Sequence, residues 1–201
     1  VVGAFVSSQA SNRIILITKK GYVKKIPVVD FEYKAQGMPI IKFSEEDDEV
    51  VKLIQSPEEG DIVLFTERNK ILRFPIKDVP PSTASSKGVI GIKLEGRDAL
   101  KGARAIKDYP YLLIITEKGG IRKINSSEVP TQKRGSKGVS LLAKSKIVDV
   151  VPIKDSVEIM VLTKEGKVFY DKIDVNDITS KESVRWEVGE DTIKRIVIKR
   201  A

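Results

Sequence analysis

The chain has 201 residues, 41% hydrophobic and 32% charged, and no apolar run reaches the roughly 18 residues needed to cross a bilayer. It contains no Cys and no His, which excludes disulfides, thiol nucleophiles, Cys/His zinc sites and His-based acid–base catalysis. The net charge of +8 is uneven: −1 over residues 1–59, +4 over 60–109, +5 over 110–155 and 0 over 156–201, so a basic middle lies between two neutral ends.

The N-terminal run Val1-Val-Gly-Ala-Phe-Val6 has no basic segment ahead of it and no initial Met. It reads as an extra strand at the start of an excised piece, not as a signal peptide. Four repeated units follow. Each begins with a five-residue apolar run closed by threonine: Ile14–Thr18, Ile62–Thr66, Leu112–Thr116 and Ile159–Thr163, the threonines 48, 50 and 47 residues apart. Branched apolar runs of this length predict buried strands. Two polar residues and a turn residue come next: Gly21, Asn69, Gly119 and Gly166. Both residue types adopt positive φ readily, as a tight turn between strands requires.

A second strand is expected at Tyr22–Ile26, Lys70–Phe74, Gly120–Ile124 and Lys167–Tyr170, so every unit opens on a hairpin. An acidic–apolar pair follows: Asp30-Phe31, Asp78-Val79, Glu128-Val129 and Asp174-Val175. After a variable loop, a Gly-led strand is expected at Gly37–Ile41, Gly88–Ile92 and Gly138–Leu142; its fourth counterpart, Ser183–Val188, lacks the glycine. The closing strands are Val50–Ile54, Leu100–Ile106, Ile147–Val151 and Ile193–Ile198. Four strands per unit predict an all-β, propeller-like single domain with repeats near 1–59, 60–109, 110–155 and 156–201.

The loop Gln132-Lys-Arg-Gly-Ser-Lys-Gly138 concentrates the chemistry. Lys133, Arg134 and Lys137 lie within five positions, and Gly135 and Gly138 allow close backbone approach to a phosphate. Unit 2 keeps Lys87-Gly88 in the same place. A second basic column lies on the outgoing strands at Lys24-Lys25, Arg73 and Arg122-Lys123, and breaks at Phe169-Tyr170. Strands alternate faces, so one of each adjacent pair should point outward, either towards phosphates or to protect an edge strand. Arg68, Lys93, Arg97, Lys101 and Arg104 add charge to the middle zone. Phe65, Phe74 and Trp186 read as core residues, not as a stacking platform for single strands. The acidic run Glu45–Glu49 reads as a solvated turn, because a cation loop would interleave Gly and Asn. No helix is available for a major groove, and nothing calls for a metal or cofactor.

The unit opening T-x-x-G-x-[VI]-x-[KR], with the later [KR]-G-[VI], resembles the C-terminal domain of the A subunit of bacterial type IIA topoisomerases (DNA gyrase and topoisomerase IV) across essentially the whole chain. Arg73–Val79 through Ser86–Leu94, and Gly119–Lys123 running into Gln132–Gly138, carry the likeness. The resemblance implies a β-pinwheel of about four four-stranded blades that swap a strand with their neighbours. It also implies double-stranded DNA bent around a basic rim. By this likeness Gln132–Gly138 stands for the family's Gln-Arg-Arg-Gly-Gly-Lys-Gly box, agreeing at Gln132, Arg134, Gly135, Lys137 and Gly138, departing at Lys133 and Ser136, and lying in the third repeat instead of the first. The family's cleavage tyrosine lies in another domain, and Tyr22, Tyr33, Tyr109, Tyr111 and Tyr170 have no such context.

The expectation is therefore a non-catalytic, cytoplasmic, nucleoid-associated DNA-binding module without a membrane contact. Its partners would be DNA, the ATPase B subunit, plus the rest of the A subunit. The expected contacts are the heptad with Lys87, Arg73, Arg122, Lys123 and Lys25. The competing reading is a protein-interaction propeller whose basic face meets an acidic partner.

Overall fold

The computed structural model describes residues 13–28, 39–83, 85–141 and 145–199. They form an all-β pinwheel of four small sheets. The first is built on β1 (Arg13–Thr18), β2 (Tyr22–Pro27) and β3 (Val50–Gln55), the second on β4 (Asp61–Thr66), β5 (Lys70–Pro75) and β7 (Leu100–Ile106). The third uses β8 (Tyr111–Thr116), β9 (Gly120–Asn125) and β11 (Ile147–Ile153), the fourth β12 (Ser156–Thr163), β13 (Val168–Asp174) and β15 (Ile193–Lys199). In each, the opening strand lies between the closing strand of its own unit and the outgoing hairpin strand, with antiparallel pairing throughout. The expected hairpins and closing strands are all present.

Three short strands, β6 (Val89–Ile90), β10 (Val139–Ser140) and β14 (Ser183–Val184), supply the fourth strand of the first three sheets. Each pairs with the outgoing strand of the unit before its own: Val89 opposite Val23, Val139 opposite Ile71 and Ser183 opposite Ile121. Sequence repeat and spatial blade are thus offset by one strand. The fourth sheet has three strands among the described residues.

This exchange explains the Gly of the Gly-led strand. Gly88 and Gly138 have φ of +82° and +76°, and a Cβ on either would stand 2.6 Å from the carbonyl oxygen of Val23 or Ile71 in the blade it joins. Unit 4 has Glu182 at this position. Its carboxylate lies in the space left by the missing side chain of Gly120, where an added Cβ would collide with Oε1, and it accepts from the Thr116 hydroxyl at 3.1 Å.

The turn threonines are equally local in cause. Thr18, Thr66, Thr116 and Thr163 are buried, and each hydroxyl accepts the N–H four residues on at 3.0–3.2 Å. Gly21, Asn69, Gly119 and Gly166 all have positive φ, as the turns require. After the outgoing strands, three-residue 3-10 turns form at Ile76–Asp78, Ser126–Glu128 and Val175–Asp177. The fourth counterpart of Asp78-Val79 is therefore Asp177-Ile178, not Asp174-Val175, because β12 and β13 are longer than the strands they match.

The core lies between blades. Ile15, Ile17 and Val23 pack against Ile62, Leu64, Leu72 and Phe74; Val63, Phe65 and Ile71 pack against Leu112, Ile114 and Ile124; Leu113, Ile115 and Ile121 pack against Ile159, Val161 and Ile173. Phe65, Phe74 and Trp186 are buried as expected. Val1–Val6, Asp30-Phe31 and the start of the first Gly-led strand lie outside the described residues.

Candidate nucleic-acid interface

The exchanged strand brings its preceding loop with it. Residues 81–83 and 85–88 run along the outer edge of β2, where the Ser82 N–H donates to the Lys25 carbonyl at 2.9 Å. Residues 131–138 run along the outer edge of β5, where the Gln132 N–H donates to the Arg73 carbonyl at 2.8 Å. These loops form the rim of the first two blades and carry Lys87, Lys133 and Lys137, all exposed. The second loop also closes over the first blade. Gly135 N–H donates to Gly91 O at 2.8 Å, and Lys93 N–H donates to Ser136 O at 3.0 Å. Exposed Lys93 therefore joins the same surface. Beside it, Arg68, Lys70, Lys93 and Lys137 line a recess of about 200 Å³ together with Glu95 and Asp98. The Lys137 ammonium pairs with Glu95 and, chiefly through that hydrogen bond, holds its carboxyl below the usual carboxylate range.

Other expected contacts are turned inward. Arg134 donates from Nε to Asp78 O at 2.8 Å and from Nη1 to Ile90 O at 2.5 Å, pinning the loop to two blades. Gln132 is half-buried beside it. Gly138 serves strand exchange. Gly135, with φ +82° and its nearest neighbour 3.8 Å from an added Cβ, serves the turn alone.

The second basic column is not a rim. Lys25 is 6% exposed, and its ammonium donates to Ile76 O at 3.2 Å. Arg73 donates to Ser126 O at 3.2 Å and pairs with Asp61 at 2.6 Å; Lys123 donates to Val175 O at 2.7 Å. Ile76, Ser126 and Val175 are each the first residue of the 3-10 turn in the next unit. The column is a row of blade-to-blade clasps. Strand alternation predicted one outward cation at Lys24-Lys25, yet Lys24 is also buried, donating to Ile40 O at 2.7 Å and Ser86 O at 2.6 Å. Burial pushes both ammoniums down, with the Arg13 charge adding to the effect at Lys25. Arg122 is half-buried and donates to Leu141 O at 3.0 Å. Edge protection does not apply either, since β2, β5 and β9 all have paired edges.

Two features escaped the sequence reading. Lys70 reaches the recess because it follows a turn residue, a position that carries no charge pattern of its own. Asp48, within the acidic run, is 7% exposed and accepts the Lys20 N–H at 2.9 Å; Asp98 and Asp191 accept from Arg68 and Glu165 in the same way. A recurrent Asp two residues before three of the four closing strands, with Ser145 in its place in the third unit, was the available signal.

Residues 12–57, 60–107 and 110–154 match the family described as DNA gyrase C-terminal domain, beta-propeller. The chain is 27% identical over 160 residues to the DNA gyrase A subunit of Borreliella burgdorferi, covering 77% of this chain and 20% of that protein. It thus spans about a fifth of the length of that curated relative. In fold it is similar to a solved DNA gyrase A C-terminal domain, with a TM-score of 0.84, 20% identity, and coverage of 96% of this chain and 67% of that one. A C-terminal domain of DNA topoisomerase IV superposes with a TM-score of 0.80 at 23% identity, covering 96% and 64%.

Proposed function

The chain belongs to the DNA gyrase C-terminal domain, beta-propeller, family, and from that premise we propose that it is a non-catalytic module that binds duplex DNA along the rim of its first two blades and bends or wraps it. The carrying observation is the placement of exposed Lys87, Lys133 and Lys137, with Lys93, on loops that border two successive blades. A duplex presents about one charge per 1.7 Å of axis, so cations spaced along a curved edge favour a bent path. Bending a 20–30 bp site costs about 1–6 kcal/mol, which several phosphate contacts together offset.

In this reading the chain is a piece of a longer cytoplasmic A subunit. It presents DNA to the cleavage core of a type IIA topoisomerase, which works with an ATPase B subunit. Sealing nicked circles with ligase in the presence of the chain tests the proposal. A protein-dependent shift in linking number is expected; an unchanged linking number at saturating protein overturns wrapping. If an acidic protein were the partner, duplex DNA would fail to bind at either low or moderate salt.

A further inference from the structure

A second charged cluster lies away from the rim, on the four innermost strands. β3, β7, β11 and β15 pack one against the next in that order. In every blade the register shifts just inside the turn threonine. The first residues past that shift are Lys52 opposite Ile17, Gly102 opposite Phe65, Asp149 opposite Ile115 and Arg195 opposite Leu162. Arg104, two residues beyond Gly102 on the same face of β7, reaches across to Asp149. Its Nε donates to Oδ1 at 3.0 Å and its Nη2 to Oδ2, with the two side chains only 16% and 8% exposed.

That fork neutralises one cation and fixes its plane, leaving three of the five guanidinium N–H donors unused. The Lys52 and Arg195 side chains form no hydrogen bond or ion pair among the described residues. Burial, then the charge of Arg104, holds the Lys52 ammonium below the ordinary lysine range; Asp149 opposes this and Arg195 adds to it. Lys52, half-buried, and Arg195, exposed, therefore set like charges at matched register positions on the first and last of these four strands. Lys52 and Arg104 are like charges in a partly dehydrated space, with Asp149 as the carboxylate between blades, and an anion beside them offsets the remaining cost.

We propose that Lys52, Arg195 and the free edge of Arg104, held by Asp149, form an axial binding site for a phosphate-class oxyanion. The site is independent of the rim.

The test is calorimetric titration of the whole chain with inorganic phosphate at constant ionic strength, with sodium chloride as the balancing salt. One saturable site per chain is expected. Lys52→Met, which keeps the aliphatic stem, and Arg195→Gln, on an exposed position, should each weaken it at least tenfold. The combined Lys87→Gln, Lys133→Gln, Lys137→Gln variant should leave it unchanged. If Lys52→Met does not fold, Arg195→Gln decides. A short duplex added to that rim variant distinguishes the source of the phosphate: displacement means a nucleic-acid phosphate enters the axis, and no displacement means a free anion. Absence of a saturable site overturns the proposal, as does binding that survives both axial substitutions.

Discussion

The first three blades and the fourth are built from the same unit and differ in how their outer edges are finished. In blades one to three, the outgoing strand is paired by two residues of the next unit, and its cation clasps the next 3-10 turn. Their facing apolar side chains are covered by the following blade. In the fourth, β13 has no such partner among the described residues, and Tyr170 stands where the others have Lys25, Arg73 and Lys123. The Tyr170 hydroxyl turns to Glu158 on the neighbouring strand of its own blade. Met160, Val168, Tyr170 and Val197 are 43–61% exposed there. Stability in this fold therefore belongs to the junction between blades, because each sheet alone is small.

Position-matched substitutions break or sharpen that comparison. The largest difference should come from the apolar faces. Leu113→Ala, at a site 0% exposed between blades three and four, should cost about 3 kcal/mol in urea unfolding. Met160→Ala, in the same register of the fourth blade, should cost under about 1 kcal/mol. Equal effects would mean that the fourth face is covered in solution.

Glycines come next. Gly138→Ala combines positive φ with the 2.6 Å approach of a Cβ to Ile71 O and should cost about 2–3 kcal/mol. Gly166→Ala has the same sign of φ but nothing within 4 Å, so only the conformational cost of about 1 kcal/mol remains. The clasp is smaller still. Lys123→Met leaves the Val175 carbonyl without its charged donor and should cost about 1.5 kcal/mol, whereas Tyr170→Phe should leave the unfolding midpoint where it is.

The smallest effect is a pH dependence. Lys24, Lys25 and Lys52 are held down by burial, so the folded chain binds fewer protons than the unfolded one between their folded values and the ordinary lysine value. Stability contributed by these groups rises with pH through that window. Lys52→Met should remove its share, seen as a flatter alkaline limb in urea midpoints; identical limbs would contradict the burial of Lys52.

How much of this was legible follows from the range of each interaction. Hairpins were readable because turn threonine, turn glycine and apolar run act within a few residues of one another. The exchanged strand was visible as a strand, but its partner was not, since Val89 and Val23 meet through space across a blade boundary. Lys87, Lys133 and Lys137 were readable as exposed loop charges. Arg134, Lys25 and Lys123 carry the same charge in the sequence but spend it on backbone carbonyls of a neighbouring unit, which composition does not encode. The break at Phe169-Tyr170 proved informative for that reason: it marks the blade that makes no clasp among the described residues.

The central claim is that the rim of the first two blades, not the molecule's overall positive charge, takes the duplex. Duplex affinity measured against salt for the chain and for Lys87→Gln, Lys133→Gln, Lys137→Gln tests it most directly, with Lys164→Gln, Lys167→Gln, Lys172→Gln on the fourth blade as the charge-matched control. The rim variant should bind all sequences more weakly, and its log–log salt slope should fall by up to about 2.7, at about 0.9 for each phosphate it no longer neutralises, while the control keeps the original slope. Equal weakening in both variants, or none in the rim variant, would contradict the account.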